Sequence, residues 1–170
     1  MTTDTNNRMP VRDTVVAVGE ALARVVRATV AGDRPRPERA AAAAEAIREA
    51  TGARWVGIYS LADGVVRNEA WSGPAAPAHP SFSADQGLTA HAIAAQAVAL
   101  SNDVLRDPRY LTNQTDSGSE LIVPVLLDGK VVGTLDLEDA RIGAFDGAAI
   151  ARYEALARQL LPLWSRASDS

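Results

Sequence analysis

The sequence predicts an α+β domain built on an antiparallel sheet, and three observations carry that prediction. Apolar residues recur every three or four positions near both ends of the chain. Between them the period drops to two, in segments joined as hairpins at Asp63-Gly64 and Asp128-Gly129. The order is two helices, a hairpin, a loop–helix–strand unit, a second hairpin and a closing helix, with no internal repeat.

Residues 1–9, MTTDTNNRM, are polar and unpatterned and read as a flexible tail, leaving residues 10–167 as one domain with an N-terminal helical extension. From Val11 to Val30, the positions Val11, Val15, Val18, Leu22 and Val25 form one apolar seam of a helix. GDRPRP, 32–37, breaks it, because each proline disfavours helix at the residue before it. A second helix is expected from about Pro37 to Ala50, through an alanine tract of high helix propensity, with Gly52 ending it.

RWVGIYS, 54–60, and VVRNEAW, 65–71, form the first hairpin. Residues 72–87 contain Gly73, Pro74, Pro77, Pro80 and Gly87 and read as a long irregular loop. A short helix over Leu88–Gln96 and a short strand, 98–100, follow. Residues 101–118 are a second long polar connection, with room for a helical turn, and are the expected mobile element. The second hairpin spans 119–139. The last helix, Gly147–Trp164, carries Ile150, Tyr153, Leu156, Leu160 and Trp164 at spacings of three and four.

Composition narrows the function. The 170 residues are 47% apolar and 22% charged, ordinary for a globular domain with a sizeable core. A net charge of −4 gives no reason to expect nucleic acid binding. No apolar run approaches the roughly 20 residues of a membrane span and no signal peptide is visible, so a cytoplasmic protein is expected. The chain has no cysteine, which removes disulfides, thiolate metal sites and thiol nucleophiles together. The two histidines, His79 and His91, have no metal-site spacing, and no metal or cofactor is expected. The single lysine, Lys130, sits beside a hairpin turn, where it reads as solvated.

The chemically informative stretch is SELIVPVLLDGKVVGTLDLED. Asp136 and Glu138 are two residues apart on its second strand and therefore share a face. One reading is a half-exposed strand with its acids outward and Leu135 and Leu137 inward.

A second reading comes from resemblance. GLTAHAIAAQAVALSNDVLRDPRY followed by SELIVPVLLDGKVVGTLDLED resembles the GAF domain family of small-molecule sensor modules, over about residues 36–165. Ala90 stands where many members carry a second glycine. The nearest likeness within the family is to the free methionine-(R)-sulfoxide reductases, through WVGIY at 55–59, Gly73-Pro74, Ser119-Glu120 and the acidic pair ending the last strand. The resemblance implies a sheet with the terminal helices on one face and a ligand pocket, roofed by loops and a short helix, on the other. It implies a pocket lined by Trp55, Tyr59, Glu120, Asp136 and Glu138. Trp71, at the end of its strand, and Tyr110 and Asn113, from the long loop, are expected to complete the lining. His91 would lie on the roofing helix, where a lone histidine reads as structural.

Those reductases act through cysteines, and the matching positions here fall near Pro77 and on Thr89 and Asn113. Reduction by that route needs a thiolate to attack sulfur and a second thiol to resolve the product. Threonine and asparagine do neither. The favoured expectation is a stand-alone binding module without catalytic residues; a relative of the reductases with altered or lost activity is the alternative. Three carboxylates converging on a small cavity favour a ligand with an amine or other cationic group. The wide apolar arcs of the helices at 11–30 and 147–164, which include Val16, Val26, Val30 and Leu161, suggest a homodimer through them, with signal output through that dimer or a protein partner.

Overall fold

The computed structural model describes residues 11–165, with side chains from Gly19 onward. The tail and the seam positions Val11, Val15, Val16 and Val18 lie, as side chains, outside the described residues, as do residues 166 and 167 of the domain.

Helix α1 spans Val11–Val30, and α2 spans Arg36–Thr51. Gly52 ends α2 in the left-handed region (φ +71°) and returns its N–H to the Arg48 carbonyl at 2.9 Å. The sheet follows: β1 (Trp55–Ala62), β2 (Val65–Ser72) and β3 (Ser81–Ser83), then helix α3 (Gly87–Ala95) and β4 (Ala99–Ser101). After one 3-10 turn at Val104–Arg106 come β5 (Ser119–Leu127) and β6 (Lys130–Asp139). All six strands pair antiparallel in the order β3-β2-β1-β6-β5-β4. Both hairpins turn on Asp-Gly with positive φ at the two central residues, +51° and +73° in one and +51° and +76° in the other. That pair of conformations matches the right-handed twist of the flanking strands.

Two expectations are corrected. The loop 72–87 contains β3, whose three residues extend the sheet beside Val65–Arg67. The last helix is not continuous: α4 covers Gly147–Gln159 and α5 covers Pro162–Ser165. Pro162 has no N–H to continue the ladder, and its ring crowds the preceding turn. Asp146 opens α4 by accepting a hydrogen bond from the Ala149 N–H at 2.8 Å.

One face of the sheet meets the helices. Val56, Ile58, Leu121, Val123, Leu135 and Leu137 are buried against Leu22, Val26 and Val30 of α1, Ala40, Ala43, Ala44 and Ile47 of α2, and Tyr153 and Leu156 of α4. The alanine tract gives α2 a small-residue surface where it meets the sheet. On α1 the core-facing row is Leu22, Val26 and Val30, at a spacing of four, whereas Val25 is 52% exposed. The intramolecular contact thus takes Leu22 of the expected seam together with Val26 and Val30 from outside it, and Val25 of the seam points away. Arg39 is buried and donates to the carbonyls of Val30 (2.8 Å), Arg34 (2.8 Å) and Pro162 (3.2 Å), tying the end of α1 to α5. Among the described residues, no helix is long and apolar enough to cross a membrane.

Candidate functional site

The other sheet face is organised in rows, because residues opposite one another on antiparallel strands share a face. Trp55, Glu138 and Glu120 form one row across β1, β6 and β5, and Gly57, Asp136 and Ile122 form the next. Tyr59 and Thr134 follow. Asp136 and Glu138 therefore do not face solvent: they are 6% and 1% exposed, and Glu120 is 8% exposed. Leu135 and Leu137 point to the helices instead.

Gly57 has a steric reason. A Cβ there would stand 2.3 Å from the Trp55 ring and 2.8 Å from that of Tyr59, so the two rings converge over the missing side chain. Tyr59 meets Phe82 edge to face at 5.9 Å between ring centroids.

Above this face lies a small cavity of about 20 Å³, enough for roughly one water molecule. Its floor is Tyr59, Glu120 and Asp136. Its roof is Leu88 and Thr89 at the start of α3, together with His79, Gly87, Leu111 and Asn113, and Phe82 of β3 also lines it. Among the described residues no side chain caps the N-terminus of α3, so the positive end of that helix dipole borders an acidic floor.

The electrostatics of the floor are costly. Glu120 Oε2 and Asp136 Oδ1 are buried with no hydrogen-bond partner among the described residues. Burial, reinforced by Glu138, pushes Asp136 up to about 7, with the neighbouring Thr134 hydroxyl offsetting part of the effect. Burial, then the charges of Glu138, Asp136 and Asp107, drives Glu120 well above the ordinary carboxylate range. Burial and the charges of Asp136, Glu138 and Glu120 also raise the Tyr59 hydroxyl.

Glu138 differs. Burial raises it, but Ser117, Asn113 and Tyr110 oppose the rise by donating to its carboxylate. Ser117 Oγ donates to Oε2 and Asn113 Nδ2 to Oε1, while the single Tyr110 hydroxyl proton is shared between Oε2 at 3.4 Å and the Gln114 carbonyl at 3.2 Å. Tyr110 is itself pushed up to about 12 by burial and by the Glu138 charge.

Of the residues singled out from sequence, Tyr59, Asn113, Glu120 and Asp136 meet at the cavity. Glu138 and Tyr110 stand behind the lining, bonded to each other. Trp55 is fully buried, and its Nε1 donates to the Ala75 carbonyl at 3.0 Å, fixing the loop after β2. Trp71 is 36% exposed and not part of the lining. His91 lies on the exposed side of α3, 3.4 Å from the Gly87 carbonyl. His79 and Leu111 were missed, because no local pattern brings them over the sheet. Thr89 was noticed only as a cysteine position. Among the described residues, no group of three or more histidines or acids is placed to hold a metal.

Taken together, the six-stranded antiparallel sheet, its helical back and its roofed acidic cavity define an α+β fold with a covered sheet face. The chain belongs to the GAF domain family, whose model matches residues 35–161. Solved structures agree. The free methionine-R-sulfoxide reductase of Neisseria meningitidis, in complex with its substrate, is 24% identical, with a TM-score of 0.78 over 88% of this chain and 89% of that one. The type II free methionine-R-sulfoxide reductase of Thermoplasma acidophilum is 26% identical, with a TM-score of 0.69 over 84% and 94%. The GAF domain of an Acinetobacter phosphoenolpyruvate-protein phosphotransferase is 17% identical, with a TM-score of 0.75 over 91% and 93%. No curated protein matches the sequence.

Proposed function

We propose that this protein is a cytoplasmic GAF-type sensor module that binds a small metabolite carrying an amine, with Glu120 and Asp136 holding the cationic group. One observation carries the reading: two buried carboxylate oxygens without partners face one cavity. A buried acid of this kind needs a proton or a cation, and an ammonium group supplies charge and donors at once. The uncapped end of α3 suits an acceptor or anionic group elsewhere on the same ligand. Tyr59 and Phe82 supply apolar surface for its body.

Output then passes through a second copy or another protein. The half-exposed Val25 of α1, and a groove of about 670 Å³ between α1 and α4 lined by Gly19, Ala23, Ala148, Ala151 and Ala155, support a homodimer through these helices.

The alternative is an enzyme related to the free methionine sulfoxide reductases, favoured by the 26% identity to one of them. Without cysteine, thiolate attack on a sulfoxide has no nucleophile. Two measurements decide. A thermal-shift screen of amines and amino acids should raise the wild-type midpoint for at least one amine, and Glu120→Gln should abolish that rise. A screen in which no amine stabilises the protein rejects the binding reading. Methionine formed from free methionine-(R)-sulfoxide with a thiol reductant, above the buffer rate, would establish the enzyme instead.

A further inference from the structure

The cavity as it stands, at about 20 Å³, admits no organic ligand, so part of its enclosure has to move. The floor is three hydrogen-bonded strands in the middle of the sheet. On the roof, α3 is anchored by Leu88 and Ala92, both buried with Ala99 and Ile122. The remaining cover is His79, from the loop before β3, and Leu111 and Asn113, from the segment 110–117.

That segment has fixed ends and a middle held by side chains alone, including an ion pair between Asp116 and Arg54. On one side Arg109 grips Asp107 through Nε (2.8 Å) and Nη2 (2.6 Å) and reaches the Leu100 carbonyl. On the other, the Gly118 N–H donates to the Asp139 carbonyl at 2.8 Å, and its own carbonyl accepts from Val104 N–H at 3.0 Å. Between them, three side chains from three different residues converge on one carboxylate of the sheet, that of Glu138. Asn113 and Gln114 also tie the segment to the neighbouring loop, through Ala78 N–H (3.0 Å) and the Ala76 carbonyl (3.2 Å).

We propose that Glu138 is the fastener of a lid: residues 110–117 close over the cavity by donating to its carboxylate, and a ligand reaches Glu120 and Asp136 when those bonds release. This departs from the sequence expectation, which made Glu138 a ligand contact. In the closed state its two oxygens are already taken by Ser117, Tyr110 and Asn113, whereas Glu120 and Asp136 each keep an oxygen free. Donors on a carboxylate form strong bonds, and among the described residues Glu138 faces more side-chain donors from this segment than any other residue does. The proposal rests on the binding reading only for what passes under the lid; the lid itself is testable without a ligand.

The test is amide hydrogen exchange on the ligand-free protein, with Glu138→Gln and Ser117→Ala. Glutamine keeps the size but replaces one acceptor oxygen by a donor. Losing these charge-assisted bonds should speed exchange across 111–117 roughly tenfold or more in Glu138→Gln, and less in Ser117→Ala. Amides of β1, β5 and β6 should keep their rates. Unchanged exchange in 111–117, or equal acceleration of the core strands, overturns the lid assignment. A titration with ethylammonium, followed by NMR line shape, separates the roles further. A fastener predicts faster probe exchange in both variants; a ligand contact predicts weaker binding in Glu138→Gln alone, and that result would overturn the proposal. If ethylammonium binds none of the three proteins, the amine reading fails while the exchange result still decides the lid.

Discussion

Replacing Asp136 by asparagine should stabilise the protein at neutral and alkaline pH, an unusual outcome for a buried residue. Asp136 titrates at about 7 in the fold against 3.8 as an ordinary aspartate. Between those values the native state holds a proton that the unfolded chain has released. Stability therefore falls as pH rises through this window, and the full cost is reached above pH 7. The separation is about three pH units, and each unit corresponds to about 1.4 kcal/mol, so Asp136 alone costs about 4 kcal/mol at pH 8. That is a large share of the roughly 5–15 kcal/mol that a domain of this kind retains. Asp107 and Asp139, lowered chiefly by hydrogen bonds from Arg109 and Arg141, contribute in the opposite sense. They contribute equally to wild type and variant and cancel, so the difference reports Asp136 together with the part of the Glu120 shift that its charge causes. Urea unfolding followed by far-UV circular dichroism at pH 4, 5, 6, 7 and 8 gives both curves. The advantage of Asp136→Asn should be small at pH 4 and grow by about 4 kcal/mol by pH 8, or roughly 8–16 °C in the thermal midpoint. Parallel pH curves for the two proteins, or a variant less stable at pH 8, would refute the claim that this carboxylate is buried with one oxygen left unpartnered.

Three further outcomes are expected. Light scattering at tens of micromolar should give a dimer mass, and Val25→Glu, which changes an exposed α1 residue rather than the core-facing Leu22, should reduce it to a monomer; an unchanged mass moves the interface elsewhere. Gly57→Ala should cost about 1–3 kcal/mol in urea unfolding, because its Cβ falls within the Trp55 ring's contact distance; a neutral substitution would mean that the rings do not converge there. Arg39→Met should cost about 2–4 kcal/mol by leaving the Val30, Arg34 and Pro162 carbonyls without their buried donor, and a loss below about 0.5 kcal/mol would show that water replaces the guanidinium.

What the sequence determined by itself was local and periodic. The two Asp-Gly turns, the alternation along β6 and the glycine ending α2 were legible because each depends on a residue's own backbone preference or on its near neighbours. Parity along β6 placed Asp136 and Glu138 on one face and Leu135 and Leu137 on the other. It did not say which face was covered, because that depends on where two distant loops and α3 come to rest. Tertiary structure decided the rest. It separated three similar acids into two with a free oxygen and one occupied by the chain's own donors. That distinction arises from Tyr110, Asn113 and Ser117, which are 21 to 28 residues away along the chain. It also brought His79 and Leu111 over the sheet, left Trp71 at the margin, and buried Arg39 among carbonyls from three segments. Periodicity reports which side of a strand a residue occupies; the partner waiting on that side is set by long-range packing, which a single sequence does not spell out.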